Sequence, residues 1–361
     1  MDPARIDSAS SLDIERSFRG DSSNSWKQLF VLLADREGIR DDRVRTVAPT
    51  DFVSRDREES DGSPLSVRLQ LRRAGKDVST VCDIDTVALH HLAGHLDIKW
   101  GVMQAVADLS PMALACLVAE VWREKVGEGT LRWRVVDSTV RAIVTADYTP
   151  LNDIAVARLL ERPLTSLGIS PTRALRSSTE TRIEFVLNDS AQRQRGAHRP
   201  GIVVRNSETG HAMLTLSPGL VRHNGIATRL SEPTLEYRHV ISNRDALAER
   251  LVAALPSLLH SARGASERWS KIRTLRCTPQ QVDAAAGSLE RGLGKKMRDE
   301  IMKAFGTRPV EDRTPSALFA IVAGATRDLP PWKRTNSDML LSALLADTVV
   351  KVGHLAHASA I

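Results

Sequence analysis

The sequence predicts an α+β protein: a central twisted antiparallel sheet built of hairpins, flanked by N-terminal and C-terminal helices. Segments that alternate apolar and polar residues at period two cluster in the middle of the chain, and segments with helical spacing lie on either side. That order, without alternating βαβ units, argues against a parallel sheet. With 361 residues, 42% hydrophobic and 26% charged, the chain is long enough for a sizeable core and far from a disordered composition.

Residues 1–25 read as a polar Ser/Asp-rich tail, and Trp26–Ala34 as a short amphipathic helix. Arg55–Pro64 reads as a solvated loop, and Ser66–Arg72 as a half-buried strand with Val67, Leu69 and Leu71 on one side. Asp85 and Thr86 cap a helix through Leu96, Asp97–Lys99 turn, and a second helix covers Val102–Val106. Ser110 at the N-cap and Pro111 at the first helical position open Met112–Val126, which Gly127 and Gly129 end. The period then changes. Leu131–Val136 and Thr139–Tyr148 form a hairpin around Asp137-Ser138, and Asn152-Asp153 start a helix through Leu160. Thr181–Asn188 is a strand and Arg193–Gly201 a basic loop. Gly201–Val204 and Ala212–Leu216 pair through a turn of Asn206, Ser207, Glu208, Thr209 and Gly210. Asn206 and Ser207 suit local backbone bonding, Gly210 a positive φ, and Asn224-Gly225 a type I′ turn. From Asn243 the pattern is helical: Asp245–Leu259, a long charged helix Pro279–Phe305, an apolar Pro315–Thr326 and a last amphipathic Ser337–Val352.

Charge divides the chain into an acidic, partly flexible arm (1–62; 10 basic against 14 acidic residues) and a basic body (63–361; 40 against 30). A positive body suits a phosphate-bearing partner, and Arg outnumbers Lys by 40 to 10. No apolar run reaches the ~18 residues of a membrane span. The opening MDPARIDSASSLDIERSFRG has no apolar core of a secretory signal. Cys82, Cys116 and Cys277 match neither a disulfide framework nor a zinc site, so a reducing cytosol is expected.

Four groups of residues invite chemistry. His91 and His95 stand at i, i+4 with Asp97 beyond, the spacing of two helical metal ligands; Leu92 follows the first His where zinc hydrolases place Glu. This leaves a metal-dependent hydrolase as a third reading. Gly292–Lys296 (GLGKK) fails as a phosphate loop, since Leu289 and Lys296 occupy the required Gly and Ser/Thr positions; no cofactor is expected. Ser207, Glu208 and His211 have the residue types of a nucleophile triad but no nucleophile elbow, so a turn is expected and no catalytic residue. In the hairpin, Arg132, Arg134 and Arg141 alternate with Leu131, Trp133 and Val135. That is either the wet face of a sheet or a phosphate track with Trp133 stacking on a base.

VRAIVTADYTPLND, Val140–Asp153, and GIVVRNSETGHAMLTLSPGLVRHNG, Gly201–Gly225, resemble the core motifs of the phage/plasmid-like protein family of unknown function. TVALHHLAGHLDIKWGVM and TPSALFAIVAGATRD resemble its helix pair and closing helix, so the similar region covers about 86–345. His223 stands where that family commonly has Cys. The resemblance implies a gene of a mobile element and no established catalytic site. By analogy with Rad52-like annealing proteins, it suggests an ATP-free, oligomeric accessory of recombination or replication.

The expectation is a cytoplasmic nucleic-acid-binding protein, with single-stranded DNA as ligand. It would self-associate, work with phage or host replication proteins, and not engage a membrane. Arg132, Arg134, Arg141, Arg193, Arg195, Arg199, Lys295, Lys296 and Arg298 are the expected phosphate contacts, with Trp133 stacking. The alternative is a non-enzymatic interaction factor in host takeover or phage defence, using Leu318–Ala325 and Leu340–Val349 as its interface.

Overall fold

The computed structural model describes 14–18, 22–34, 40–45, 52–53, 68–72, 79–126, 131–136, 139–145, 147–149, 151–177, 179–187, 199–210, 212–221, 227–229, 234–239, 244–272 and 275–329. Arg193, Arg195, His211, Asn224, Gly225 and the expected Ser337–Val352 helix lie outside these residues.

The fold is α+β, and its strands form two sheets. In the first, β1 (Ile14–Ser17), β8 (Ser170–Arg176), β9 (Thr181–Val186), β10 (Arg199–Asn206), β11 (Leu214–Val221) and β12 (Ala227–Arg229) follow one another. β13 (Leu235–Tyr237) also pairs with β11, and every pairing is antiparallel. In the second, the order is β2 (Arg40–Arg45), β6 (Leu131–Val136), β7 (Thr139–Thr145), β5 (Ser79–Ile84), β4 (Arg68–Arg72) and β3 (Phe52–Val53). Here β5 runs parallel to β7. The hairpin β6–β7 is as the alternation predicts, with a bulge: Arg134 pairs Ala142, Val135 pairs Val140, and Arg141 is the extra residue.

Each sheet covers one face with helices. Helices α1 (Ser22–Ala34), α5 (Asp153–Ser166) and α6 (Arg244–Ile272) pack on the first sheet. Alternate strand residues Ala174, Ile183, Phe185, Ile202, Val204, Leu214 and Leu216 face them. Helices α2 (Thr86–Leu96), α3 (Trp100–Leu109) and α4 (Pro111–Lys125) cover the second sheet through Leu92, Leu96, Val118 and Trp122, against Leu131, Trp133, Val135 and Ile143. Of the tail and arm expected over 1–62, the described parts belong to the two sheets and their helical cover. β1 pairs into the first sheet and β2 and β3 into the second, and α1 packs on the first because Trp26, Leu29 and Leu33 carry enough apolar surface to bury.

The expected helix Pro279–Phe305 is two helices, α7 (Pro279–Leu293) and α8 (Lys295–Gly306), joined by Gly294 at φ +83°. Periodicity continues across the break, which conceals it in the sequence. Thr278 caps α7 in a reciprocal box with Gln281. With α9 (Pro315–Ala325) these helices enclose a third core of Leu289, Ile301, Phe305, Leu318, Phe319 and Val322, on which Trp269 of α6 and Leu220 of β11 also rest. Leu318–Ala325, expected as a partner interface, therefore spends its largest side chains on this core.

Candidate functional site

The two motif segments meet where the sheets meet. Arg176, Thr181 and Asn206 form one cross-strand row at the end of β8, β9 and β10. All three converge on Asp153, the first residue of α5. Thr181 Oγ1 donates to Asp153 Oδ2 at 2.5 Å, Asn206 Nδ2 donates to Oδ1 at 2.8 Å, and Arg176 Nε lies 3.9 Å from Oδ2. Asn206 Nδ2 also donates to the Leu151 carbonyl at 2.8 Å. Asn152 occupies the N-cap position of α5 but makes no capping bond, because its Oδ1 accepts from Arg134 Nη2 at 3.0 Å. The Asp153 N–H is satisfied instead by Glu208 Oε1 at 2.8 Å, a carboxylate brought to the helix N-terminus from 55 residues away.

The Asn206–Gly210 turn is fixed as firmly. Ser207 Oγ donates to the Thr179 carbonyl at 2.6 Å, and Thr209 Oγ1 to the same oxygen at 3.1 Å. Tyr148 OH donates to the Ser207 and Glu208 carbonyls, while its ring stacks on His239 at 5.3 Å and packs with Ala142 and Val144 of β7. Gly210 adopts φ +76°; a Cβ there would stand 3.2 Å from both Val144 Cγ1 and Tyr148 Cε2. The turn of one sheet is thus bolted to a strand of the other. Asn206 and Ser207, expected to bond local backbone, instead send their side chains to Leu151, Asp153 and Thr179, at least 28 residues away, while Gly210 takes the expected positive φ.

Between these parts lies a small, half-open pocket. Arg134, Val136 and Arg141 of the second sheet form one wall. Ser177, Thr179 and Glu180 of the first form the other, with Asp153 and Glu208 between them. Burial, and then the neighbouring Glu208 charge, push the Asp153 carboxyl up to about 7 against its hydrogen bonds and Arg176. Burial, and then the Arg134 charge, push His239 down to about 4. Sequence reasoning passed over Asp153 as a functional residue; its only local signal, Asn-Asp after Pro, is that of an ordinary helix start.

The expected phosphate contacts do not form one track among the described residues. Trp133 is fully buried in the core under α2–α4, so it cannot stack on a base. Arg134 is 3% exposed and bonds Asn152, because the face of β6 expected to be wet is covered at the seam. Arg141 pairs with Asp85 at 3.5 Å, and Arg298 with Glu290 and Asp299 at 3.2 and 2.7 Å. Arg132 is half-buried, and Arg199 opens β10 instead of belonging to a loop, half-buried opposite Val221. Lys295 and Lys296 are exposed in the first turn of α8. The metal candidates do not gather either. His95 Nε2 donates to the Ile143 carbonyl at 3.0 Å, and His91 stays on α2. Asp97, in the left-handed C-cap, pairs with Lys125 at 2.9 Å, which holds its carboxyl below the usual range. Among the described residues no three His, Cys, Asp or Glu side chains come within ligating range of one point.

Comparison with family models, characterised proteins and solved structures finds no match to this chain.

Proposed function

We propose that the chain is an ATP-independent nucleic-acid-binding protein of a phage- or plasmid-type mobile element, acting on single-stranded DNA in recombination or replication in a bacterial cytoplasm. Its contact surface is the α7–α8 elbow, not the β6–β7 hairpin. The observation that carries this reading is the pair Lys295 and Lys296. Both are exposed in a first helical turn that has no acidic residue, after a glycine that makes no side-chain cap. Unpaired first-turn amides and two ammonium groups suit a phosphate. Exposed Arg291 stands just before them.

Burial of Trp133 takes its ring out of base stacking, and the proposal stands on phosphate contacts. The excess on one copy is small, so self-association, which multiplies weak contacts along one strand, belongs to the same proposal. Titrating a labelled single-stranded oligonucleotide across a salt series tests it. Log affinity is expected to fall linearly with log salt. Lys295→Glu with Lys296→Glu is expected to flatten the slope by about 1.4, at about 0.7 for each phosphate no longer neutralised. No binding, affinity indifferent to salt, or a slope unchanged in the double variant contradicts it.

One observation favours the alternative, a protein-interaction factor. Val102, Leu109 and Met112 are 46%, 84% and 61% exposed along α3 and the start of α4, next to exposed Ala105, Ala113 and Cys116. Such a run without a lysine or arginine suits protein more than polyanion. Assemblies free of nucleic acid by light scattering, with no oligonucleotide shift, decide for it.

A further inference from the structure

We propose that the pocket at the seam binds a small zwitterionic molecule of the amino-acid type, its acidic group on the guanidinium wall and its ammonium on the carboxyl wall. The lining is sorted by charge. Arg134 and Arg141 come from the second sheet, and Asp153, Glu180 and Glu208 from α5 and the turns of the first; Arg141 also pairs with Asp85 and Glu180 with Arg205, and Ser177, Thr179 and Thr209 supply hydroxyls. Val136 lines the pocket as well, and no aromatic side chain is among its described lining residues.

The walls are built before any ligand arrives. Arg134 and Asp153 are 3% and 2% exposed, the first held by Asn152 and the second by Thr181 and Asn206. Rigid partners lower the ordering cost of binding. A molecule of single charge satisfies one wall and desolvates the other. A guanidinium fork matches a carboxylate, and an ammonium offers three donors to carboxylate oxygens.

Protons report which groups arrive. The charged groups around Asp153 are Arg176 from β8, Glu208 from the turn, Glu180 with its partner Arg205 on the same side, and Arg134 and Arg141, the latter with its partner Asp85, across the pocket; His239 is neutral above about pH 4. With the Asp153 carboxyl pushed up to about 7, an ammonium beside it expels its proton, so binding near neutrality releases protons.

The test is calorimetric titration of the full chain at pH 7 with glycine, L-serine, L-glutamate and L-lysine, singly, in phosphate and in Tris. At least one is expected to bind saturably, with buffer-dependent heat that corresponds to proton release. Its N-acetyl form, which lacks the cation, and its methyl ester, which lacks the anion, are each expected to bind at least about tenfold more weakly. Glu208→Gln keeps an oxygen for the Asp153 N–H, so it is expected to melt like the parent chain and to bind at least about tenfold more weakly. The proposal is overturned if none of the four binds up to about 10 mM, if either blocked form binds as tightly, or if a normally folded Glu208→Gln binds unchanged. Binding of glycerol 3-phosphate in their place also overturns it.

Discussion

Asp153 and His239 titrate in opposite senses although both lie at the same seam. Folded Asp153 holds its proton to about pH 7 whereas the unfolded carboxyl releases it near 3.8, so this group's contribution to stability is full below that value and is lost as pH rises to about 7. His239 binds its proton in the unfolded chain near 6.5 but in the fold only near 4, so its contribution is lost as pH falls across that interval. The two offset each other between about pH 4 and 6.5. Urea denaturation over a pH series is expected to show this in the variants. Asp153→Asn leaves the histidine alone, and stability rises from pH 4 to 6.5; His239→Gln leaves the aspartate alone, and stability falls from pH 4 to 7. Both variants running parallel to the parent chain would contradict the assignment. Trp133 offers a plainer check on the same scale. As a core residue its replacement by Ala is expected to cost about 3–5 kcal/mol of stability, read by chemical denaturation. A base-stacking residue would instead lose affinity with stability intact.

At the scale of elements, the sequence was legible wherever the signal was local. Ser110-Pro111 opens α4 as read, with the Ser110 hydroxyl accepting from Ala113 N, and the alternation of Leu131–Val136 and Thr139–Thr145 makes the hairpin. What escaped was set from a distance or concealed by continuity. Glu208 caps α5 from the turn after β10, 55 residues further along the chain, and no window around Asn152 contains that information. β8 begins with Ser-Pro and includes the buried cations Arg173 and Arg176, so its sequence shows no apolar alternation; Glu15, Glu184 and Asp153 lie beside these cations in the fold. The motif residues were legible as a turn, but not the convergence that places them over Arg134. Two substitutions test these elements. A Cβ on Gly201 would meet Val221 Cγ2 at 2.4 Å and the Phe185 carbonyl oxygen at 2.6 Å, so Gly201→Ala is expected to destabilise by about 1–3 kcal/mol or more. Thr278→Ala removes the capping hydroxyl of α7 and is expected to cost about 1 kcal/mol. Thermal or urea melts read both, and an unchanged midpoint in either contradicts the corresponding geometry.

The whole molecule is organised by the seam between two sheets, each with its own helical cover. Tyr148, donating to the Ser207 and Glu208 carbonyls, and Arg134, donating to Asn152, tie the second sheet to the turn and helix N-terminus of the first, and the charged pocket lies at that junction. The expectation of one central sheet gave the class but not this division, since period-two alternation says which residues pair well and not into how many sheets they gather. The surface of the hairpin was misread for the same reason: a strand face opposite a helix layer is wet only if nothing else covers it. Tyr148 is the bolt, with its ring against Ala142 and Val144 and its hydroxyl on the turn. Amide hydrogen exchange in Tyr148→Ala, followed separately in peptides covering β6–β7 and in peptides covering β10 with the Asn206–Gly210 turn, is the most direct measurement. Faster exchange in both sets is the predicted result; acceleration confined to one sheet, with the other unchanged, would show that the sheets are not coupled through this residue.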